Sequence, residues 1–286
     1  IPAFRAVKET YPDAVLHVAV APAVVELARC LPMVDQVLEW APGEHWISRL
    51  RRVSRFLKEK YDAIVVLNPT KEAHFVSFLS GIPLRVGYAC KGGRLLTCSM
   101  PDQKHLGRRH EVEHNLDLVG LLAAKTENKD PFLGLDPGFL GRVQEKFSLP
   151  SDQEIIAVHP YTSDPVKQWP LEFFEELVGR LSAEFSGRVL LCGKPELWHR
   201  DLFFKGDRII DLRGVTTLVE LAALLKFSKC LISCDSGPVH LASSVGTKVI
   251  VIFRDDISGK NPERWGPWGD QHCILRAPRL SAIFLL

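Results

Sequence analysis

Short apolar segments alternate with amphipathic segments along the chain, and this alternation constrains the fold more than any other feature. In the first half it predicts four strands, three helices between them and a closing helix. The strands are at residues 14–20, 37–40, 63–67 and 84–87, and the helices at 22–30, 46–58, 72–79 and 111–124. Strands that alternate with helices form a parallel sheet covered on both faces. The sequence therefore predicts an α/β fold.

The same alternation restarts in the second half. Strands are predicted at 154–158, 188–192, 208–211, 230–234 and 248–253, with helices at 171–185, from about 196 and at 218–227. Between the halves runs the polar, Gly- and Pro-containing stretch KTENKDPFLGLDPG, which predicts a domain boundary between residues 125 and 150. We expect two doubly wound Rossmann-like domains, 1–135 and 136–286, facing a cleft.

Composition excludes several classes of protein. The net charge of +2 is too mild to indicate a nucleic-acid partner. No run of about 18 apolar residues is present, so no membrane span is predicted, and no signal peptide is expected. Seven cysteines without CxxC or zinc-like spacing indicate reduced thiols of a cytoplasmic protein and no metal site. The first half has no GxGxxG between a strand and a helix, which disfavours a nicotinamide enzyme.

The stretch CLISCDSGPVHLASSVG at residues 230–246 predicts a strand, a turn and a helix. Asp235, Ser236 and Gly237 form the turn, Pro238 suits the first helical position, and Gly246 suits the residue after the helix. A helix start presents unpaired N–H donors, so this one is suited to a phosphate or diphosphate. His240 lies on the first helical turn. Alternatively, Asp235 or Ser236 is an ordinary N-cap and His240 an ordinary packed or surface histidine.

Two other strand ends carry polar groups. Thr162, Ser163 and Lys167 follow the strand at 154–158, and their hydroxyl and ammonium groups suit phosphate oxygens. Glu196 follows the next strand, where a carboxylate can accept hydrogen bonds from ribose hydroxyls. The alternatives are that the hydroxyls shape a turn, that Lys167 is solvated and that Glu196 is an ordinary first-turn glutamate.

The predicted helix at 46–58 has a basic face. Arg51, Arg55 and Lys58 lie on it, apart from the apolar stripe that packs inward. The face is either solvated or a patch that binds an anionic acceptor.

Several of these segments resemble glycosyltransferase family 9, the bacterial heptosyltransferases of lipopolysaccharide core synthesis. The similar segments are HPYTSDPVKQWP, LLCGKPE, DLRGVTTLVELAALL, LISCDSGPVHLASSVG and the RWGPWG loop, with weaker matches in the first half. The resemblance implies a GT-B fold. It also implies an inverting, metal-independent transfer of heptose from an ADP-activated donor to a Kdo or heptose acceptor on lipid A.

The resemblance also implies roles for individual residues. Thr162, Ser163 and Lys167 would contact the donor phosphates, and Glu196 the ribose. Val215 and Thr216 would lie beside the base. The diphosphate would be framed by Asp235, Ser236, Gly237 and His240. Lys167 and the amides of residues 236–239 would stabilise the leaving ADP, so we expect Lys167 and Asp235 to be the catalytic residues. The expected partner is an anionic glycolipid, bound by a cytoplasmic protein that contacts the inner membrane peripherally.

One part of the family pattern is missing from this sequence. In the family, a glycine-rich loop after the first strand carries the aspartate that deprotonates the acceptor, just before the stretch that begins here at Pro2. We therefore expect a fragment that lacks its first strand and its catalytic base, with little activity but intact nucleotide binding. The alternatives are a GT-B enzyme that uses a UDP-sugar and a non-catalytic nucleotide-sugar binder.

Overall fold

The computed structural model describes residues 1–41, 53–54, 59–194, 206–253 and 260–276. The chain divides into two compact units, Ile1–Lys129 and Asp130–Leu286. In both units the described strands pair in parallel. The predicted α/β class with parallel sheets is therefore confirmed.

The first unit contains five described strands in two sheets. The strands are β1 (His17–Val20), β2 (Gln36–Glu39), β3 (Ala63–Val66), β4 (Leu84–Tyr88) and β5 (Cys98–Met100). The helices are α1 (Pro2–Thr10), α2 (Val25–Arg29), α3 (Lys71–Leu79) and α4 (Glu111–Gly120). β1 pairs with β2, and β4 lies between β3 and β5. In the described part of the chain, β1 and β3 are each paired on one side only, and the predicted absence of a first strand stays a prediction.

The second unit contains one six-stranded sheet. Its strands are β6 (Ile155–His159), β7 (Arg188–Leu191), β8 (Ile209–Asp211), β9 (Cys230–Cys234), β10 (Lys248–Phe253) and β11 (Cys273–Arg276). The helices are α5 (Pro137–Lys146), α6 (Leu171–Glu184), α7 (Leu218–Phe227), α8 (Gly237–Ser244) and α9 (Pro262–Trp265). The strand order is β11-β10-β9-β6-β7-β8, which is the order of a dinucleotide-binding fold.

The core of the second unit forms where α6 packs on the sheet. Phe174 and Val178 of α6 are fully buried against Val158, Val189 and Ile232 of three neighbouring strands. Burying apolar surface is the main favourable contribution to folding, so this contact fixes β6, β7 and β9 side by side. Their carboxyl ends consequently meet at one edge of the sheet.

The structure differs from the prediction at several places. The stretch predicted to be a linker contains the ten-residue helix α5, because Asp136 caps it by accepting a hydrogen bond from the Phe139 N–H and Pro137 suits its first turn. Helix α4 ends at Gly120 rather than at 124, since Ala123 has a left-handed backbone (φ +60°). The short strands β5 and β11 and the helix α9 were not predicted.

The predicted helix ends of the second unit are confirmed at two places. Thr217 and Glu220 form a reciprocal capping box at the start of α7. Gly246 adopts a left-handed conformation (φ +83°) just after α8. In contrast, the Ser236 side chain makes no capping hydrogen bond at the start of α8, so the ordinary N-cap alternative does not hold for it.

All seven cysteines are free thiols, of which Cys192 and Cys234 are buried and Cys273 is exposed. Burial raises the pKa of both buried thiols to about 12, so they are protonated at neutral pH. Within the described residues, none of the helices has the length and apolar character needed to traverse a bilayer.

Candidate functional site

The polar residues that the sequence singles out in the second unit follow strands of its six-stranded sheet. Thr162, Ser163 and Lys167 follow β6, Val215 and Thr216 follow β8, and Asp235, Ser236 and Gly237 follow β9. Because all six strands are parallel, these residues lie at the carboxyl edge of the sheet, where ligands bind in open α/β folds.

Lys167 and Asp235 contact each other directly. The Nζ of Lys167 is 2.6 Å from the Oδ2 of Asp235, and the carboxylate is 7% exposed while the lysine is 20% exposed. Burial raises the pKa of Asp235, and the ammonium group of Lys167 opposes that rise. The lysine is therefore held by a buried anion at the edge of the sheet.

The loop after β6 is fixed to the turn after β9. Thr162 is buried and its Oγ1 donates a hydrogen bond of 3.3 Å to the carbonyl oxygen of Asp235. The Nε2 of Gln168 donates to the carbonyl oxygens of Pro160 and Trp169, which closes the loop on itself. Ser163 is exposed on the same loop. Thr162 and Lys167 therefore reach Asp235 from one rigid loop, whereas Ser163 faces solvent.

The start of α8 is open. Gly237 is exposed, and a Cβ added to it would meet no atom within 4 Å. His240 is also exposed on the first turn of this helix. The eight-residue helix places its positive end and its first N–H groups next to Asp235 and Lys167. An anion can approach this backbone closely.

A buried polar cluster lies behind the helix start. The Nδ1 of His159 is 3.3 Å from the Oγ of Ser233 and 3.4 Å from the Oγ of Ser236, and the two hydroxyls are 3.0 Å apart. Burial lowers the pKa of His159 to about 4, so this ring is neutral at neutral pH. His159 was not among the residues predicted for the site. The available signal was its position at the end of the strand, where it is the first residue of the HPYTS segment.

A second lysine and aspartate pair was missed by the sequence analysis. Lys260 forms an ion pair with Asp164, which lies three residues before Lys167. This contact lowers the pKa of the Asp164 carboxyl. The loop after β6 therefore carries Lys167 and Asp164, which form ion pairs with Asp235 and Lys260 respectively. Asp164 belongs to a quoted motif, but Lys260 belongs to none and could not be selected from the sequence.

Tyr161 and Arg213 link the ends of β6 and β8. The Nη1 of Arg213 donates a 3.1 Å hydrogen bond to the hydroxyl of Tyr161, while its Nε and Nη2 contact Asp211. The Tyr161 ring lies over Gly193, at the end of the strand between them. Val215 is 57% exposed two residues further on. The buried side chain of Tyr161 thus borders the edge of the sheet near Val215 and Thr216. Tyr161 was not among the residues predicted for the site.

Some predicted site residues cannot be placed. Glu196, Arg51, Arg55 and Lys58 lie outside the described residues. In the described ranges, no group of three or more His, Cys, Asp or Glu side chains is arranged to hold a metal ion.

The sequence profile of glycosyltransferase family 9 (heptosyltransferase) matches residues 50–283. The chain belongs to glycosyltransferase family 9. This glycosyltransferase is similar to lipopolysaccharide heptosyltransferase 2 of Escherichia coli K12, with 24% identity over 276 residues that cover 87% of this chain and 77% of the relative.

Two solved structures have the fold of this family 9 chain. ADP-heptose lipopolysaccharide heptosyltransferase II of E. coli has a TM-score of 0.81 at 21% identity, covering 97% of this chain and 86% of that one. The E. coli heptosyltransferase WaaC with ADP has a TM-score of 0.73 at 20% identity, covering 97% and 88%. The predicted GT-B fold is therefore confirmed, as is the prediction that the chain is a glycosyltransferase.

Proposed function

We propose that this family 9 chain transfers heptose from ADP-heptose to an inner-core acceptor on lipid A, in lipopolysaccharide biosynthesis. The observation that carries the proposal is the Lys167 ammonium, held 2.6 Å from Asp235 beside the open start of α8. The similarity to lipopolysaccharide heptosyltransferase 2 of E. coli supports the choice of pathway. The similarity to the structure of a heptosyltransferase with ADP supports the choice of donor.

The donor diphosphate would lie between Lys167 and the first turn of α8. Thr162 and Ser163 would donate hydrogen bonds to its oxygens, and Ser236, Gly237 and His240 would line its other side. Ammonium groups, hydroxyls and helix N–H groups are the donors that stabilise phosphate oxygens. Val215 and Thr216 would lie beside the base and Glu196 beside the ribose.

The reaction is a single displacement in which an acceptor hydroxyl attacks the anomeric carbon. The new C–O bond forms as the bond to the diphosphate oxygen breaks, and the acceptor proton leaves to a base. Negative charge develops on the departing ADP, so Lys167 and the N–H groups at the start of α8 would stabilise the transition state. Asp235 would act through Lys167 by holding its ammonium group in place. The step needs no metal ion.

An anionic acceptor is supported by a feature of the first unit. A cavity of about 350 Å³ follows β4 and is lined by Lys91, Arg94 and the backbone of Gly92 and Gly93. Basic side chains suit phosphate or carboxylate groups of a glycolipid. Arg51, Arg55 and Lys58, which lie outside the described residues, would bind an anionic group of the acceptor. A lipid-linked acceptor would keep the enzyme at the cytoplasmic face of the inner membrane, in peripheral contact with it.

Thermal unfolding with nucleotides tests the donor site. At a concentration about a hundredfold above its Kd, ADP should add about 2.7 kcal/mol of stability. We expect ADP to raise the Tm more than UDP, and Lys167→Ala to weaken ADP binding at least tenfold. Lys229→Ala is the matched control, because Lys229 pairs with Glu154 before the start of β9 and lies away from the carboxyl edge. If neither ADP nor UDP raises the Tm, the proposal is refuted.

Turnover separates the remaining functions. A coupled assay measures ADP release from ADP-heptose with Kdo-linked lipid A as acceptor. We expect the rate of ADP release to rise when the acceptor is added. An ADP shift without turnover would fit a nucleotide-sugar binder and also the expected lack of a catalytic base. Displacement of bound ADP by lower concentrations of UDP would favour a UDP-sugar enzyme.

A further inference from the structure

A second lysine reaches the edge of the sheet from the segment after β10. Because β10 pairs in parallel with β9, the segment that follows it starts at the same edge as Asp235. The ammonium group of Lys260, on this segment, forms an ion pair with Asp164 in the loop after β6. The next residue is fixed, since the carbonyl oxygen of Asn261 accepts hydrogen bonds from two N–H groups of α9. Lys260 therefore extends to Asp164 from the start of an ordered turn.

The Lys260–Asp164 pair lies close to the Lys167–Asp235 pair. The Oγ1 of Thr162 accepts a 3.3 Å hydrogen bond from the N–H of Asp164 and donates one of 3.3 Å to the carbonyl oxygen of Asp235. Lys260, and less strongly Lys167, lower the pKa of the Asp164 carboxyl. The pKa of Asp235, which burial raises, is lowered by both lysines and raised by Asp164. Two ammonium groups and two carboxylates thus form one electrostatic cluster.

The four charges of this cluster cancel, whereas a donor diphosphate carries one negative charge on each of its phosphates. Lys167 cannot neutralise the diphosphate alone, because its ammonium group already balances the buried carboxylate of Asp235. The start of α8 adds only about half a positive charge. A second cation is needed to balance a diphosphate beside Asp235, and Lys260 is the second cation of the cluster.

The two ion pairs differ in how readily they exchange partners. The side chains of Lys167 and Asp235 are 20 and 7% exposed, whereas those of Lys260 and Asp164 are 40 and 29% exposed. Ion pairs between solvent-exposed groups contribute little to stability, while breaking a buried pair is costly. Phosphate oxygens accept charge-assisted hydrogen bonds from ammonium groups as carboxylates do. Lys260 can therefore leave Asp164 for a phosphate, while Lys167 stays with Asp235.

We propose that Lys260 is a second cationic ligand of the donor diphosphate, and that Asp164 holds its ammonium group beside the site until the donor binds. On binding, the ammonium group moves from the Asp164 carboxylate to a phosphate oxygen. The inference rests on the proposed function, in which the diphosphate lies between Lys167 and α8, and it adds a residue that binds the donor.

Calorimetric titration with ADP tests the two ends of the ion pair separately. Lys260→Ala should weaken ADP binding about tenfold, the loss of one hydrogen bond to a charged group. Lys260→Arg keeps the charge and should restore most of the affinity. Asp164→Asn should tighten ADP binding about two- to fivefold, because its amide oxygen still accepts from the Val166 N–H but no longer holds the ammonium group of Lys260. A purely structural ion pair would instead make Lys260→Ala and Asp164→Asn both weaken binding.

The matched control is the ion pair between Lys229 and Glu154, which lies before the starts of β9 and β6. Lys229→Ala and Glu154→Gln should both leave the ADP affinity unchanged, and urea unfolding of every variant establishes that it is folded.

Lys167→Ala separates this inference from the proposed function. If Lys167→Ala weakens ADP binding but Lys260→Ala does not, the role of Lys260 is overturned and the donor site stands. The same holds if Asp164→Asn binds ADP no more tightly than the parent. A parent chain that binds neither ADP nor UDP would overturn both proposals.

Discussion

The Nζ of Lys167 lies 2.6 Å from the Oδ2 of Asp235, joining the loop after β6 to the turn after β9. The carboxylate is more deeply buried than the lysine, and its pKa is raised although its partner is a cation. Desolvation therefore outweighs the attraction of the ion pair for this carboxylate. Such a residue costs stability at neutral pH, and a role in holding Lys167 gives a reason for it.

Amide substitution of the two aspartates of the site should change the pH dependence of stability in opposite directions. A raised folded-state pKa means that Asp235 loses stabilising contribution as pH rises above 3.8 toward its folded value, so the stability of Asp235→Asn relative to the parent should increase as pH rises. Asp164 has a lowered pKa because of Lys260, so its contribution is present at neutral pH and is lost in acid. Asp164→Asn should therefore lower stability at pH 7, by under about 1 kcal/mol.

Urea unfolding of both asparagine variants between pH 3 and pH 7 measures these differences. Both differences should change as pH falls and the parent aspartates take up protons. A stability of Asp235→Asn that falls relative to the parent as pH rises would contradict the assignment for Asp235.

His159 should make the second unit sensitive to mild acid. Its pKa is about 4 in the folded protein against 6.5 in the unfolded chain, so the unfolded chain binds the proton first. Stability should fall as pH decreases from 6.5 to 4, by up to about 1.4 kcal/mol per pH unit. His159→Asn should flatten this dependence in urea unfolding, whereas His105→Asn, at an exposed position, should leave it unchanged. If stability has the same slope against pH in His159→Asn and in the parent, His159 is not the source of the acid sensitivity.

Gly193 should not tolerate a methyl group. A Cβ there would lie 2.7 Å from the Cδ2 of Tyr161, a side chain that is 1% exposed and hydrogen-bonded to Arg213. Gly193→Ala should destabilise the protein by about 1–3 kcal/mol in chemical denaturation. Gly179→Ala, inside α6 with no atom within 4 Å of the added Cβ, should instead stabilise it by about 0.5–1 kcal/mol. Equal effects of the two changes would show that Tyr161 moves freely.

Neighbouring threonines at the start of α7 should separate stability from nucleotide binding. The Oγ1 of Thr217 accepts a hydrogen bond from the Glu220 N–H, so Thr217→Ala should cost about 1 kcal/mol of stability. Its effect on ADP affinity should be small. Thr216→Ala should have the reverse pattern, with weaker ADP binding and little change in unfolding. Calorimetric titration and urea unfolding of both variants provide the measurements, and an unchanged ADP affinity in Thr216→Ala would remove that residue from the site.

Much of the fold was predictable because apolar periodicity is a local property of the sequence. The bounds of α7 and β10 agree with the prediction to the residue. Helix α5 was missed because Pro137 and Gly138 were taken as signs of a loop, although proline after a capping aspartate favours a helix start. Strands as short as β5 contain too few residues for a period to be visible.

The site was less predictable because its contacts join distant parts of the chain. Thr162, Lys167 and Asp235 were selected one by one, but their mutual contact depends on β6 and β9 being neighbours. Lys260 has no local signal, since a lysine in a loop is ordinarily solvated. Tyr161 and Arg213 were invisible for a related reason: their hydrogen bond crosses the end of β7, and only the strand order brings them together.

The central position of β6 also affects how the second unit is made on the ribosome. One edge of β6 pairs with β7, but the other must wait for β9, which is translated only after α6, β7, β8 and α7. Until Cys230–Cys234 has emerged, a nascent chain presents the unpaired backbone of an apolar strand. Chains that stall before this point should be chaperone clients and protease substrates, whereas chains released after β10 should escape both fates.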